Sequence, residues 1–237
     1  MRYIILAAGM GTRMHPYTKT FPKCLVILEE EITVIKRNLM LIKKLDPLAK
    51  VTLVLGYKKK EIEDNISDYR EWCNIVYNPF YAITNSAASL WLAREYLDED
   101  TCLFNGDIVI EENLLKLIIA KKDSYVCYDS SLLTDGDYSV RINNKNIIVM
   151  GKNLSKNDGE YVGITKLSKE DTALLKKELK ECIEDNYTTW YETILVQMVL
   201  SKNFKIEAVD VSEYSWTEID SISDVFLARD ICFKDKL

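Results

Sequence analysis

Short, nearly unbroken apolar runs alternate along the first half of the chain with longer stretches in which apolar residues recur every three or four positions. Residues 2–8 (RYIILAA), 51–56 (VTLVLG), 74–78 (NIVYN), 101–107 (TCLFNGD) and 124–129 (SYVCYD) have the length and content of buried strands. Between them, residues 33–45 carry helical spacing with Lys and Arg on the opposite face. Residues 59–69 form a polar helical segment, 86–97 a helix opening on Ser, and 111–122 a further helix. Strands alternating with helices in this way predict a layered α/β fold with a mainly parallel sheet. After about residue 130 the pattern changes. Residues 137–142, 146–151 and 160–167 predict short strands, some antiparallel. Two helices near 168–184 and 190–200, a strand over 205–211 and a last helix from near Ser221 complete the chain. Repeats, low-complexity tracts and linkers are absent, so 1–237 reads as one domain with an elaborated second half.

Composition narrows the chemistry. Hydrophobic residues make up 48% and charged residues 29%, as expected of a globular protein with a sizeable core. The net charge of −6 argues against a general nucleic-acid binder but leaves room for a local cationic site. A single His excludes a His pair for zinc or proton relay. The six cysteines are scattered without a CxxC, and four lie in apolar runs, which predicts reduced core thiols. No apolar stretch approaches the ~18 residues that cross a membrane, and the start of the chain reads as strand and motif rather than leader. A cytoplasmic protein with no membrane partner is therefore expected, as a monomer or homodimer.

Only eight glycines and four prolines are present, and two of each fall between residues 9 and 22. The first strand runs into Gly9-Met-Gly11-Thr12-Arg13, then His15-Pro16, then a stretch ending in Pro22-Lys23. A glycine turn at the C-terminal end of the first strand is the usual seat of a phosphate or nucleotide in an open α/β sheet. Its amides can converge on anionic oxygen where no Cβ intervenes. The segment is not a P-loop, because no Lys-Ser/Thr follows at the required spacing. It is not a dinucleotide fingerprint either, since Met14 stands where the third Gly belongs. A stiff, amide-rich loop carrying the fixed cations Arg13 and Lys23 suits a triphosphate.

The segment LAAGMGTRMHPYTKTFPKCLV resembles the signature of the sugar-nucleotide pyrophosphorylase superfamily of nucleotidyltransferases, LAAGxGTRMxPLTxxxPKxLV. Tyr17 and Cys24 depart from the usual residues without removing a catalytic group. The resemblance implies a Rossmann-like three-layer α/β nucleotidyltransferase fold with a mainly parallel mixed sheet, a nucleotide-binding half over 1–130 and an acceptor-binding half over 131–237. It implies transfer of a nucleotidyl group to a phosphorylated acceptor with release of pyrophosphate. Leu6, Ala7, Ala8, Gly9, Gly11 and Thr12 would lie against the base and phosphates. Arg13 would hold the leaving phosphates, and Lys23 would bridge the two reacting phosphates. Cations between mutually repelling phosphates are what such a reaction needs.

Triphosphate chemistry also calls for Mg2+, which takes one or two carboxylates together with phosphate oxygens. Asp107 follows a buried strand, with Gly106 allowing close approach of backbone. Asp220 lies between a short apolar strand and the last helix. In the resembling family a strand-end Asp and a late E-x-D or similar carboxylate bind the metal. The competing roles are turn or cap for Asp107, N-cap for Asp220 and first-turn dipole complement for Asp224.

The segment NPFYAITNSAASLWLA resembles the small choline-phosphate-type cytidylyltransferases, which implies CTP as donor. Asn85 and Ser86 would cap the following helix and read a pyrimidine edge, with Tyr81 lining the pocket. For the acceptor, Lys152 and Glu160 in the glycine-containing stretch 151–168 would meet an anionic end and an amine. Trp190, Tyr191 and Glu192, with Trp216 and Glu218, would form an aromatic and acidic cage for an ammonium group, with packing at the helix start the competing role of the Trp-Tyr pair. Phosphocholine, an aminoethylphosphonate-like phosphonate amine and phosphoglutamine all fit such a pocket. The phosphoglutamine resemblance also implies a role in capsule modification. A sugar 1-phosphate with UTP, dTTP or CTP is the alternative, and a non-catalytic nucleotide sensor on the same fold is the reading of another class.

Overall fold

The computed structural model describes residues 1–11, 20–133, 138–202 and 204–235. The chain divides into two compact units, each discontinuous in sequence. The first comprises Met1–Ile83, Phe104–Lys121 and Tyr214–Leu237, and the second Thr84–Leu103 and Lys122–Glu213. In chain order the first stretch holds β1 (Arg2–Ala7), β2 (Ile27–Glu29), β3 (Ile32–Thr33), α1 (Val34–Leu45), β4 (Lys50–Leu55), α2 (Lys59–Asn65) and β5 (Cys73–Tyr77). Then come α3 (Ser86–Leu92), β6 (Thr101–Asn105), β7 (Ile108–Ile110) and α4 (Glu112–Ala120). The chain continues with β8 (Tyr125–Asp129), β9 (Ser139–Asn143), β10 (Asn146–Gly151), β11 (Gly159–Leu167), α5 (Lys169–Asp185), α6 (Tyr191–Ser201) and β12 (Glu207–Asp210). It closes with β13 (Trp216–Glu218) and α7 (Ile222–Asp235).

In the first unit β4 lies between β1 and β5 and pairs parallel with both, in register from Arg2 opposite Lys50 to Ala7 opposite Leu55. Strands β1 and β4 are buried along nearly their whole length, as a covered parallel sheet requires, whereas β5 at the sheet edge exposes Asn74 and Tyr77. The amide of Gly106, just past β6, donates to the Leu6 carbonyl at 2.9 Å. Helix α1 starts on Thr33, whose hydroxyl accepts from the Lys36 amide at 3.3 Å. Its Asn38 side chain donates to the Ile108 carbonyl at 2.8 Å, which fixes β7 on the helix. Val26, Leu28, Val34, Val109, Ile219, Ala228, Ile231 and Cys232 form one apolar cluster beneath the small strands.

In the second unit the strand order is β11-β8-β12-β10-β9, with β8–β12 parallel and the β11–β8, β10–β12, β10–β9 and β11–β9 pairings antiparallel. The expected antiparallel character after residue 130 is thus present. Asn144 and Lys145 are both left-handed, at φ 47° and 66°, between paired Asn143 and Asn146. That is the two-residue hairpin geometry matched to strand twist. Gly163, at φ 78°, sits where the β11–β8 register shifts between Tyr161 and Thr165. A residue without Cβ lets the strand bulge there.

Two expected helices are shorter than their periodicity. The 59–69 segment leaves α geometry after Asn65 for a 3-10 turn at Ser67–Tyr69, and the 86–97 segment after Leu92 for one at Arg94–Tyr96. The pairs β2–β3 and β7–β13 were not expected; strands of two or three residues are too short to show a period.

Candidate active site

The loop after β1 begins on Ala8, which is buried, and Gly9, which is exposed. A Cβ on Gly9 would meet no atom of the described residues within 4 Å. Gly11 adopts φ 60°, which favours glycine. Leu6 is half-buried and Ala7 buried at the strand end. Two further glycines press on this end from either side. A Cβ on Gly56 would come within 2.6 Å of the Ala8 carbonyl and 2.7 Å of Tyr81 Cβ; one on Gly106 would come within 2.7 Å of Ala7 Cβ. Tyr81 is half-buried beside Tyr57, ring centroids 6.0 Å apart. Thr12 and Arg13, assigned from the sequence to the phosphates, lie outside the described residues.

Lys23 opens a 3-10 turn, Lys23–Leu25, directly after Pro22. Its side chain is nearly buried, and its ammonium group donates to Asp107 Oδ2 at 3.1 Å and to Asp220 Oδ1. Burial works against the charge on Lys23, but Asp107, Asp220 and Glu218 outweigh it and hold its pKa above the ordinary value.

The register of the small antiparallel pair explains how these carboxylates meet. Glu218 stands opposite Ile108, and the Ile219 amide donates to the Asp107 carbonyl at 3.0 Å. Asp107 immediately precedes β7 and Asp220 closely follows β13, so pairing the two strands delivers both to one place. Carboxylate oxygens of Asp107, Glu218 and Asp220 all lie within 4.8 Å of one another. Glu218, grouped from the sequence with the acceptor aromatics, therefore sits among the metal candidates. Its E-x-D spacing to Asp220 was the available signal, since residues two apart in extended chain share a face. Three hard oxygen donors, with the two Asp side chains partly exposed at 22% and 29%, fit a Mg2+-sized cation that also takes phosphate oxygens.

The capping alternatives for these residues have other occupants. The α4 N-terminus is held by Asp235, whose carboxylate accepts from the Glu112 amide at 3.1 Å while pairing with Arg37. At the start of α7, Asp224 Oδ2 accepts from the Asp220 amide at 2.9 Å and the Ser221 amide at 2.6 Å.

The other sequence candidates belong to the second unit, apart from Trp216, which is half-buried on β13 opposite Ile110. Asn85 caps α3, its side-chain oxygen accepting from the Ser86 amide at 3.0 Å. Ser86 Oγ accepts from the Tyr191 amide at 2.9 Å and donates to Glu192 at 3.4 Å. Lys152 and Trp190 come together, with the ammonium group 5.3 Å from the ring centroid and the ring 41% exposed. Tyr191 turns inward instead: it is fully buried, with its hydroxyl 2.6 Å from that of Tyr161, which also meets Thr165 at 2.7 Å. Glu192 is buried beside it, and burial pushes its carboxyl up to about 7. Glu160 lies on β11 opposite Asp129 and Ser139.

Residues 2–132 match the model of the Nucleotidyl transferase family. The CTP:phosphoglutamine cytidylyltransferase of Campylobacter jejuni is 26% identical to this chain over 258 residues, spanning 95% of the chain and 98% of that protein. The CMP-5'-(3-aminopropyl)phosphonate synthase of Streptomyces rubellomurinus is 30% identical over 131 residues, 52% of the chain and 20% of that protein. Among solved structures, the CTP:phosphocholine cytidylyltransferase of Streptococcus pneumoniae matches with a TM-score of 0.80 at 19% identity, covering 97% of this chain and 98% of that one. The fold is accordingly the Rossmann-like α/β fold of these enzymes, with a mixed sheet. With the glycine loop, Lys23 and Asp107 all inside the matched span, the chain belongs to the nucleotidyl transferase family.

Proposed function

We propose that this nucleotidyltransferase is a Mg2+-dependent cytidylyltransferase that joins CTP to a small phosphorylated, amine-bearing acceptor and releases pyrophosphate. The observation that carries the reading is the convergence of Lys23 with Asp107, Glu218 and Asp220. A lysine and three carboxylates in one place suit a polyphosphate and its cation. The choice of CTP and of an amine-bearing acceptor is supported by the relatives, which are named for phosphoglutamine, an aminopropylphosphonate and phosphocholine.

In this reading an oxygen of the acceptor phosphate attacks the α-phosphorus of CTP. The new P–O bond forms as the bond to the β-phosphate breaks, and the electron pair leaves with pyrophosphate. The acceptor oxygen is already ionised, so no protein base is required. Lys23 balances charge between the two phosphates, and Arg13 holds the leaving end. Asp107, Asp220 and Glu218 would hold Mg2+, which supplies charge neutralisation on the triphosphate oxygens. Asn85 and Tyr81 would line the base. The Lys152–Trp190 pair and Glu192 would receive the acceptor's anionic and cationic ends, with Glu160 and Tyr191 supporting them.

All six cysteines are free, which supports a reducing, cytoplasmic setting. Among the described residues no helix is long and apolar enough to cross a membrane.

The test is pyrophosphate release from each of five nucleoside triphosphates with phosphocholine, phosphoglutamine, 2-aminoethylphosphonate and hexose 1-phosphates. Turnover of CTP with an amine-bearing phosphate is expected. Turnover confined to UTP or dTTP with a sugar phosphate would overturn donor and acceptor while leaving the charge cluster its role.

A further inference from the structure

The start of α3 is stitched to the segment that leads into α6. The Asn85 amide donates to the Tyr187 carbonyl at 3.3 Å, and the Ala87 amide to the Thr189 carbonyl at 3.2 Å. Between them, Ser86 Oγ accepts a hydrogen bond from the Tyr191 amide at 2.9 Å and donates one to Glu192 Oε2 at 3.4 Å. Both capacities of the Ser86 hydroxyl are thus used inside the protein, although the sequence suggested a nucleotide contact.

Glu192 has unusual surroundings for a carboxylate. It is 4% exposed. Hydrogen bonds from its own amide, Ser86 and Tyr191 favour its charged form, and burial outweighs them. The titratable groups that feel it are the phenols of Tyr138, of Tyr161 on β11 and of Tyr191 on α6. No Lys, Arg or His among the described residues contributes to holding its charge. A buried carboxylate surrounded by hydroxyls is suited to a cation brought by a ligand, provided that its oxygens are held in place.

We propose that Ser86 is a positioning residue for the acceptor: it orients the Glu192 carboxylate, and through it sets affinity for the acceptor's amine end. The proposal rests on the acceptor being an amine-bearing phosphate. It separates Ser86 from its neighbour Asn85, because the Asn85 side chain ends on the adjacent backbone while that of Ser86 reaches across to α6.

The test uses the full chain with Ser86→Ala, and Ser86→Thr as the conservative partner. Carboxyl-carbon NMR of glutamate-labelled protein, with Glu192 assigned by Glu192→Gln, reads the Glu192 titration without ligand. Loss of the serine hydroxyl should raise its midpoint by about half a unit to one unit. In turnover with CTP and whichever of phosphocholine, phosphoglutamine or 2-aminoethylphosphonate is used, Ser86→Ala should raise the acceptor KM about five- to tenfold and leave the CTP KM unchanged. Ser86→Thr should restore both readouts. An unmoved titration midpoint, or a CTP KM that rises as much as that of the acceptor, overturns the proposal. A moved midpoint in a protein that turns over none of these acceptors supports the Ser86–Glu192 link and overturns the acceptor reading instead.

Discussion

The ammonium group of Lys23 lies 3.1 Å from the carboxylate of Asp107 and bonds Asp220 as well, so one cation joins three separate stretches of chain. Replacing it with alanine leaves Asp107, Glu218 and Asp220 facing one another and, in the proposed reading, removes charge balance from the reacting phosphates. Pyrophosphate release by Lys23→Ala should fall about 10²- to 10³-fold, by analogy with loss of an oxyanion donor. Without Lys23 the carboxylates also repel more strongly. Millimolar Mg2+ should therefore raise the melting temperature of chelator-treated Lys23→Ala more than that of wild type. Equal metal shifts in the two proteins would show that Lys23 does not neutralise this cluster.

Asp107→Asn keeps the shape of the turn and removes one charge. Lys23 retains Asp220 as a partner, so folding by circular dichroism should be unchanged while kcat falls by orders of magnitude. A near wild-type rate at saturating Mg2+ would remove Asp107 from the metal site.

Glu192 gives stability a pH dependence of known sign. Its pKa rises on folding from the ordinary 4.5 to about 7. Below about pH 4.5 it is protonated in folded and unfolded chains alike, and its contribution to stability is fully present. As pH climbs through about 7 that contribution is lost, because only the folded state resists ionisation. Glu192→Gln removes the effect. Relative to the variant, wild type should lose up to about 3 kcal/mol between pH 4.5 and 7 and little more above it, as read by urea unfolding across pH. Parallel curves for the two proteins would show that Glu192 is not a buried carboxyl.

Two glycines near the strand-end loop should respond oppositely. At Gly106 an added Cβ lies 2.7 Å from Ala7 Cβ and 2.8 Å from the Leu6 carbonyl, so Gly106→Ala must move backbone next to Asp107. A loss of about 1–3 kcal/mol, together with activity, is expected. At Gly9 the same atom meets nothing within 4 Å among the described residues. Gly9→Ala should keep its melting temperature and lose activity, because the methyl group occupies space assigned to the nucleotide.

Much of this architecture is written in periodicity. The parallel strands β1, β4 and β5 begin and end within two residues of their apolar runs; β1 and β4 are covered on both faces and so are apolar almost throughout. The pair β7–β13 left no such trace. Three residues show no alternation, and its partners are brought together by Asn38 of α1 and the apolar cluster beneath them. That is why Asp107 and Asp220 were legible from motif context, while Glu218, although marked by its E-x-D spacing to Asp220, was grouped with the acceptor aromatics and is placed beside the two Asp residues by the β7–β13 register. Trp190, Tyr191 and Glu192 looked alike as a cage. The start of α6 instead sends Trp190 outward and the other two inward, a division set by packing against Tyr161 and Ser86.

The discontinuity of the first unit has a consequence for biosynthesis. Lys23 and Asp220 are 197 residues apart, and the whole second unit emerges from the ribosome between them. Until Trp216–Glu218 is made, β7 has no β13 to pair with and Lys23 holds one carboxylate of its eventual set. Assembly of the charge cluster is therefore a late event in the life of each molecule. A chain released before Glu218 and Asp220 are made would lack two of the three carboxylates that, in the proposed reading, hold the metal.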